Sequence, residues 1–163
     1  MNSEPLLIIL VGFPRSGKST WVKENKELAR NKALVVEPDW IRTNILGHQF
    51  HKPAEPIIWL IADSFIRIAL SQGHTVILDG INLFPFVREK YIALAKEMGA
   101  GVECVWINTP MDVCVERNNV SPEGQKLPHN VLVNKENGFV PPSVEEGFDA
   151  VIELDKEGEP VDA

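Results

Sequence analysis

The run Leu6-Leu-Ile-Ile-Leu-Val11 stops at Gly12, and the residues from there, Gly12-Phe-Pro-Arg-Ser-Gly-Lys-Ser19, fit the spacing G-x-x-x-x-G-K-[ST]. No other feature of the chain restricts its fold as much. An unbroken apolar run of this length reads as a strand buried on both faces, the kind found in parallel sheets covered by helices. The glycines let the backbone turn tightly enough for successive N–H groups to converge on phosphate oxygens. A helix beginning at Lys18 adds the favourable field of its N-terminus. Lys18 is spaced to reach the β and γ phosphates of a nucleoside triphosphate, and the Ser19 hydroxyl to ligate Mg²⁺. Nucleotide contacts are therefore expected from Gly12, Phe13, Pro14, Arg15, Ser16, Gly17, Lys18, Ser19 and Thr20. The dinucleotide spacing G-x-G-x-x-G is absent, which removes the main support for a nicotinamide or flavin site.

Beyond this loop, strands alternate with helices. Ala33–Val36, Thr75–Asp79, Val102–Ile107 and Val151–Leu154 read as further strands. Helices are expected from Lys18 to about Arg30, over 39–47, from Glu55 to Gln72 with an apolar stripe of Ile58, Ala62, Phe65 and Ala69, from Pro85 to Met98, and over Met111–Asn119. The alternation predicts a three-layer α/β fold, a parallel five-stranded sheet with helices on both faces and a small lid. One domain over residues 1–154 is expected. Within it the polar, Pro- and Gly-rich stretch at about 118–149 departs from the alternation and reads as a lid. Residues 155–163 form an acidic tail expected to fray.

Charge narrows the partners. The chain has 163 residues with 16 Lys+Arg against 23 Asp+Glu, a formal charge of 16 − 23 = −7. Such a surface argues against coating long nucleic acid through many phosphate contacts, and leaves open a pocket that grips one phosphorylated end. No apolar run approaches the roughly 20 residues of a membrane span, and Leu6–Val11 follows Glu4 with no basic residue before it, unlike a secretory signal. Cys104 and Cys114 suggest neither a disulfide framework nor a metal site, and His48, His51, His74 and His129 lack metal-ligand spacing. A reducing, cytoplasmic setting fits.

Two acidic positions narrow the reaction. Asp79 closes the third predicted strand, as expected of a second metal-supporting carboxylate. Gly80 follows it, not the water-activating Glu of motor and transport ATPases, and a turn-capping role is the alternative. Asp39 and Arg42 follow the second strand. If 40–47 is helical, Asp39 is its N-cap and Arg42 lies one turn on, which allows a plain cap with a surface ion pair. Ligands in parallel sheets bind beyond the carboxyl ends of the strands, so Asp39 should also face the crevice of Lys18 and Asp79. There a carboxylate can accept the proton of an acceptor hydroxyl and an Arg can hold an anionic substrate group. That is the layout of phosphoryl transfer to an alcohol. Trp40 and Trp59 read as core or wall residues, with stacking on a base or sugar as the alternative for Trp40.

The chain resembles the polynucleotide-kinase-like branch of P-loop kinases, which includes zeta-toxin-type proteins. The resemblance rests on Gly12-Phe-Pro-Arg-Ser-Gly-Lys-Ser-Thr-Trp21, Asp39-Trp-Ile-Arg42, Val76-Ile-Leu-Asp-Gly-Ile-Asn-Leu83 with Pro85 and Arg88, Val115-Glu-Arg-Asn118, and Glu145-Glu-Gly-Phe-Asp149. It implies an ATP- and Mg²⁺-dependent kinase with Lys18, Asp39 and Arg117 catalytic. Asp39 is then the general base, Arg42 binds the phosphate beside the acceptor hydroxyl, and Arg117 belongs to the lid. Ser19 and Asp79 are the expected metal residues. Asn82 either contacts the acceptor or closes a loop, and Arg88 is exposed or braces a helix. One departure stands out. The family's lid carries two arginines four apart, and the position four after Arg117 is Ser121, so Arg117 acts alone or Lys126, Lys135 or Arg15 substitutes. The expected acceptor is a polynucleotide 5′-hydroxyl or a related small hydroxyl compound. The alternatives are a small-metabolite kinase, a non-catalytic ATP-binding module and a simple ATPase. No membrane and no obligate protein partner are expected.

Overall fold

The computed structural model describes residues 4–25, 33–47 and 51–162. In chain order its elements are β1 (Leu6–Val11), α1 (Lys18–Asn25), β2 (Ala33–Val36), α2 (Pro38–Ile41), a π-helical turn (Arg42–Leu46), a 3-10 turn (Lys52–Ala54), α3 (Glu55–Ser71), β3 (Thr75–Leu78), α4 (Pro85–Glu97), β4 (Gly101–Ile107), α5 (Met111–Asn119), α6 (His129–Val133), 3-10 turns at Asn134–Glu136 and Val144–Glu146, and β5 (Ala150–Leu154). The strands form one parallel sheet in the order β2-β3-β1-β4-β5. This is the expected three-layer architecture. The end of the first predicted helix, from 26 to Arg30, and His48 lie outside the described residues.

β1 is central, with Leu6 opposite both Thr75 of β3 and Gly101 of β4. Its side chains alternate between two cores, as a doubly covered strand requires. Leu7, Ile9 and Val11 face the larger core, with Ile58, Ala62 and Ile66 of α3 and Tyr91, Leu94 and Ala95 of α4. Leu10 and Ile8 face a smaller one with Val22 and Trp21 of α1. Losing one of these buried aliphatic side chains to Ala would cost about 2–5 kcal/mol. The rigid sheet therefore fixes where the loops at its carboxyl edge begin.

Several sequence expectations are corrected here. The helix after β2 begins one residue early, with Glu37 as its N-cap and Pro38 at the first position, so Asp39 lies in the first turn and caps nothing. Proline suits that position because its missing N–H has no intrahelical partner there. On α3 the buried face is Ile58, Ala62, Ile66, Ala69 and Leu70, whereas Phe65 is 41% exposed. Both faces of this helix are apolar, so helical spacing alone did not choose between them. Trp40 is 59% exposed and forms no part of the core. The tail does not splay away from the sheet: Asp155 N–H donates to Glu159 O, Val161 N–H donates to Glu153 O, and Leu154 bridges Pro160.

The stretch after α5 has two characters. Residues 122–126 and 128–131 are exposed. Beyond them Leu132 and Phe148 are buried, and Phe139 packs its ring 5.1 Å from Phe13 and 6.0 Å from Trp106. Arg88 pins this second part to the body. It is fully buried, not exposed, and donates from Nε and Nη2 to both carboxylate oxygens of Glu146 at 2.7 Å. Its remaining donors reach Asn82 O, Leu83 O and Val140 O at 2.8 to 3.2 Å.

Candidate active site

The loop from Gly12 to Ser19 wraps tightly because its glycines permit it. A Cβ on Gly12 would stand 2.6 Å from Ser16 Oγ and 3.1 Å from Ile107 O, so no side chain fits. Gly17 has φ +115°, which favours glycine. Arg15 has φ +69°, also in the left-handed region, yet carries a long side chain. The loop is braced from outside. Thr109 Oγ1 donates to Ser16 O at 2.7 Å, and Gly12 N–H donates to Ile81 O at 3.2 Å. Arg117 Nη1 donates to Arg15 O at 3.1 Å and to Ser16 O at 2.9 Å. Phe13 contributes a buried ring and a backbone carbonyl rather than an exposed contact.

Lys18 is buried and folds back onto this loop, donating to Gly12 O and Phe13 O at 2.9 Å and approaching Ser16 Oγ at 3.5 Å. Burial lowers its pKa to about 8, although the charges of Asp79, Cys114 and Asp39 pull the other way. The charges of Asp79 and Asp39, the two carboxylates predicted to face Lys18, thus both act on it. Asp79 sits where β3 ends, its N–H donating to Val36 O at 2.8 Å beside the end of β2. Burial and the nearby charge of Asp39 raise its pKa, and Lys18 lowers it. Glu37 is raised by burial, by Asp79 and by Asp39. Three carboxylates thus crowd the carboxyl ends of β2 and β3.

Asp39 is well exposed, with its side chain 84% accessible. Arg42 Nη1 donates to Asp39 Oδ1 at 2.6 Å, while Nε and Nη2 donate to the two oxygens of Glu55 at 2.7 Å each. Its guanidinium also lies 5.5 Å from the Trp59 ring centroid. Asn82 has φ +43°, is buried, and donates from Nδ2 to Leu10 O at 2.8 Å. Its amide nitrogen therefore ties the loop after β3 to the end of β1.

A cleft of about 420 Å³ opens beside the loop. One wall is Arg15 to Trp21, and the other is Arg117, Ser121 and the turn Lys156-Glu157-Gly158. Arg117 joins the two walls, since its Nη2 donates to Lys156 O at 2.9 Å. Asp39, Arg42, Asp79 and Asn82 do not line this cleft; Lys18 is the link, lining it while feeling the charges of Asp39 and Asp79. Sequence reasoning missed four contributors: Glu37, Glu55, Thr109 and the 156–158 turn. Thr109 and the turn each follow the carboxyl end of a strand, which was an available signal. Nothing in the sequence links Glu55 to Arg42.

The residues fit a divalent cation beside a triphosphate. Asp79 is buried at the end of β3, and like-charged Glu37 and Asp39 lie near it. Among the described residues no group of three His, Cys, Asp or Glu can hold a metal. The fit rests on the donor set: a carboxylate such as Asp79 and the Ser19 hydroxyl are oxygen donors of the kind Mg²⁺ takes together with substrate phosphates and water. Both cysteines are free and buried, and no helix among the described residues is long and apolar enough to cross a membrane.

Comparison with known proteins supports the same fold. Residues 7–133 match the AAA domain family. The L-seryl-tRNA(Sec) kinase of Methanococcus maripaludis is 28% identical over 148 residues, covering 88% of this chain and 56% of that protein. The bifunctional polynucleotide phosphatase/kinase of Schizosaccharomyces pombe is 25% identical over 151 residues, covering 91% of this chain and 33% of that protein. The chain therefore spans about half of the first relative and a third of the second. The structure of Chaetomium thermophilum Kti12 in complex with ADP-AlF3 has a TM-score of 0.73 over 91% of this chain and 88% of that one, at 13% identity, a likeness of fold.

Proposed function

The chain belongs to the AAA domain family, and on that premise we propose that it is an ATP-dependent P-loop kinase that moves the γ-phosphoryl group to a hydroxyl acceptor. What supports this reading is geometric: the phosphate loop seats Lys18, and Asp79 and Asp39 stand at the carboxyl ends of the neighbouring strands β3 and β2, where a parallel sheet binds its ligands. A binding module needs the loop and the cleft but not the exposed carboxylate beyond it.

In this reading the triphosphate lies along the loop with its γ end toward Asp39. The acceptor oxygen attacks the γ phosphorus, its proton passes to an Asp39 carboxylate oxygen, and the bond to the β–γ bridging oxygen breaks with its electron pair leaving on ADP. Ser19 and Asp79 would hold Mg²⁺, whose charge offsets that of the phosphates. Arg42 steers Asp39 through their 2.6 Å hydrogen bond and is itself held by Glu55. The exposed residues 122–126 and 128–131 are the part of the lid that would close, whereas Phe139 and Glu146 tie the later part to the body.

The relatives that act on a seryl-tRNA and on polynucleotides favour a hydroxyl at a nucleic acid end as acceptor. A small neutral alcohol is the second reading. It is favoured by the charge of −7 and by an Arg42 already paired with two carboxylates. Transfer of label from γ-labelled ATP, screened over 5′-hydroxyl oligonucleotides, nucleosides and sugars, separates these readings. Asp39→Asn should lower transfer on the order of 10² to 10⁴-fold with ATP affinity nearly unchanged. Lys18→Ala should damage both. Full transfer by Asp39→Asn would remove Asp39 as the base, and hydrolysis that no alcohol stimulates would favour a simple ATPase.

A further inference from the structure

We propose that Arg15, within the phosphate loop itself, is the cation that contacts the transferring γ-phosphoryl group. This rests on the kinase reading above. Arg117, the arginine expected in that role, is committed elsewhere: its guanidinium donates to Arg15 O, Ser16 O and Lys156 O at 2.9 to 3.1 Å. Those bonds fasten the loop to the far wall of the cleft, so freeing Arg117 would loosen the nucleotide site. Ser121, one turn further along, is not a cation.

Arg15 is differently placed. It lines the cleft beside Ser16 and Lys18. Its backbone occupies the left-handed region at φ +69°, where glycine is favoured, so a long side chain is kept there against a local conformational cost. Its guanidinium donates through Nη2 to Gln125 O, in the exposed turn that Gln125 N–H closes onto Pro122 O. Partners in an exposed turn are exchanged readily. With ATP in the loop, the guanidinium leaves Gln125 O for the γ-phosphoryl oxygens. As the acceptor oxygen bonds to phosphorus and the bridging bond breaks toward ADP, Arg15 donates hydrogen bonds to the oxygens that gain negative charge. It neither gains nor loses a proton. The strained backbone fixes the direction in which the side chain starts.

The test uses Arg15→Gly, because glycine suits φ +69° and the variant should melt no lower than the wild type. Two readouts are taken: turnover of γ-labelled ATP with the best acceptor from the screen, and binding of ADP with and without aluminium fluoride in Mg²⁺ buffer. Arg15→Gly is expected to lower turnover on the order of 10³-fold, to bind ADP within about twofold of the wild type, and to lose most of the extra affinity conferred by aluminium fluoride. Arg15→Lys should recover part of both losses. Arg117→Ala should instead weaken ADP with and without aluminium fluoride alike and lower the melting temperature. Unchanged turnover and unchanged analogue affinity in Arg15→Gly would overturn the role of Arg15 and leave the kinase reading standing. So would a variant that simply loses ADP binding. A wild-type protein that transfers no label and gains nothing from aluminium fluoride would overturn the kinase reading, and Arg15 with it.

Discussion

At the residue scale the site turns on one buried amine. Lys18 sits in low-dielectric surroundings with carbonyls as its hydrogen-bond acceptors, and its pKa falls to about 8. In the unfolded chain it would titrate near the ordinary lysine value of 10.5. A group whose folded pKa lies below its unfolded value holds its proton more weakly when folded. The ligand-free protein should therefore gain stability as pH rises from about 8 toward 10.5, with the cost fully present below 8. A bound triphosphate reverses the balance, because its negative charge favours the ammonium. ATP binding should thus take up a proton, about half of one at pH 8, and its affinity should fall as pH rises through 8. Calorimetry in buffers of different ionisation enthalpy reads the uptake directly, and Lys18→Met should abolish it. Uptake that survives the substitution would assign the proton to another group. The motif spacing foretold the lysine and the loop, since these follow from local geometry. It did not foretell the backbone angle of Arg15, nor that Thr109, after β4, and Arg117, on α5, brace the loop from outside.

At the element scale the clearest device is Arg88 on α4. A guanidinium removed wholly from water is tolerated only when each donor finds an acceptor, and here five bonds reach Glu146 and three backbone carbonyls. Glu146 in turn closes a capping box with Ser143 at the 3-10 turn. The segment from Val140 to Glu146 is thereby fastened to the body. Glu146→Ala would leave the Arg88 charge buried without its carboxylate and should cost about 3 kcal/mol or more, read from urea unfolding. Amide exchange over 140–147 should quicken more than elsewhere. A cost below about 1 kcal/mol would mean that water reaches Arg88 once the carboxylate is gone. Strands and long helices were legible because burial imposes their periodicity. The 132–148 segment was not, because its order comes from contacts remote in sequence: Phe139 on Phe13, Glu146 on Arg88, and Gly138 close to Phe84. Its Pro and Gly content resembled a free lid for that reason. The same limit explains α3, where two apolar faces competed and only packing selected Ile66 over Phe65.

At the scale of the whole molecule, the parallel sheet sends every functional loop to one edge, while the surface carries a net charge of −7. These two facts together limit what kind of nucleic acid could serve as acceptor. Long-range attraction between a polyanion and this surface is unfavourable, so affinity has to come from the crevice alone. The one arginine predicted to meet an acceptor phosphate, Arg42, already shares its charge with Asp39 and Glu55. An oligonucleotide end should therefore displace few counterions. The slope of log affinity against log salt should be shallow, near −0.7 for a single neutralised phosphate on single-stranded substrate. Lengthening the oligonucleotide beyond the terminal nucleotides should change it little, because the net charge of −7 disfavours added phosphates. Competition binding of 5′-hydroxyl oligonucleotides of increasing length, across a salt series with saturating ADP, measures this. A slope that steepens with each added nucleotide would reveal a basic track beyond the crevice and would contradict recognition confined to one end.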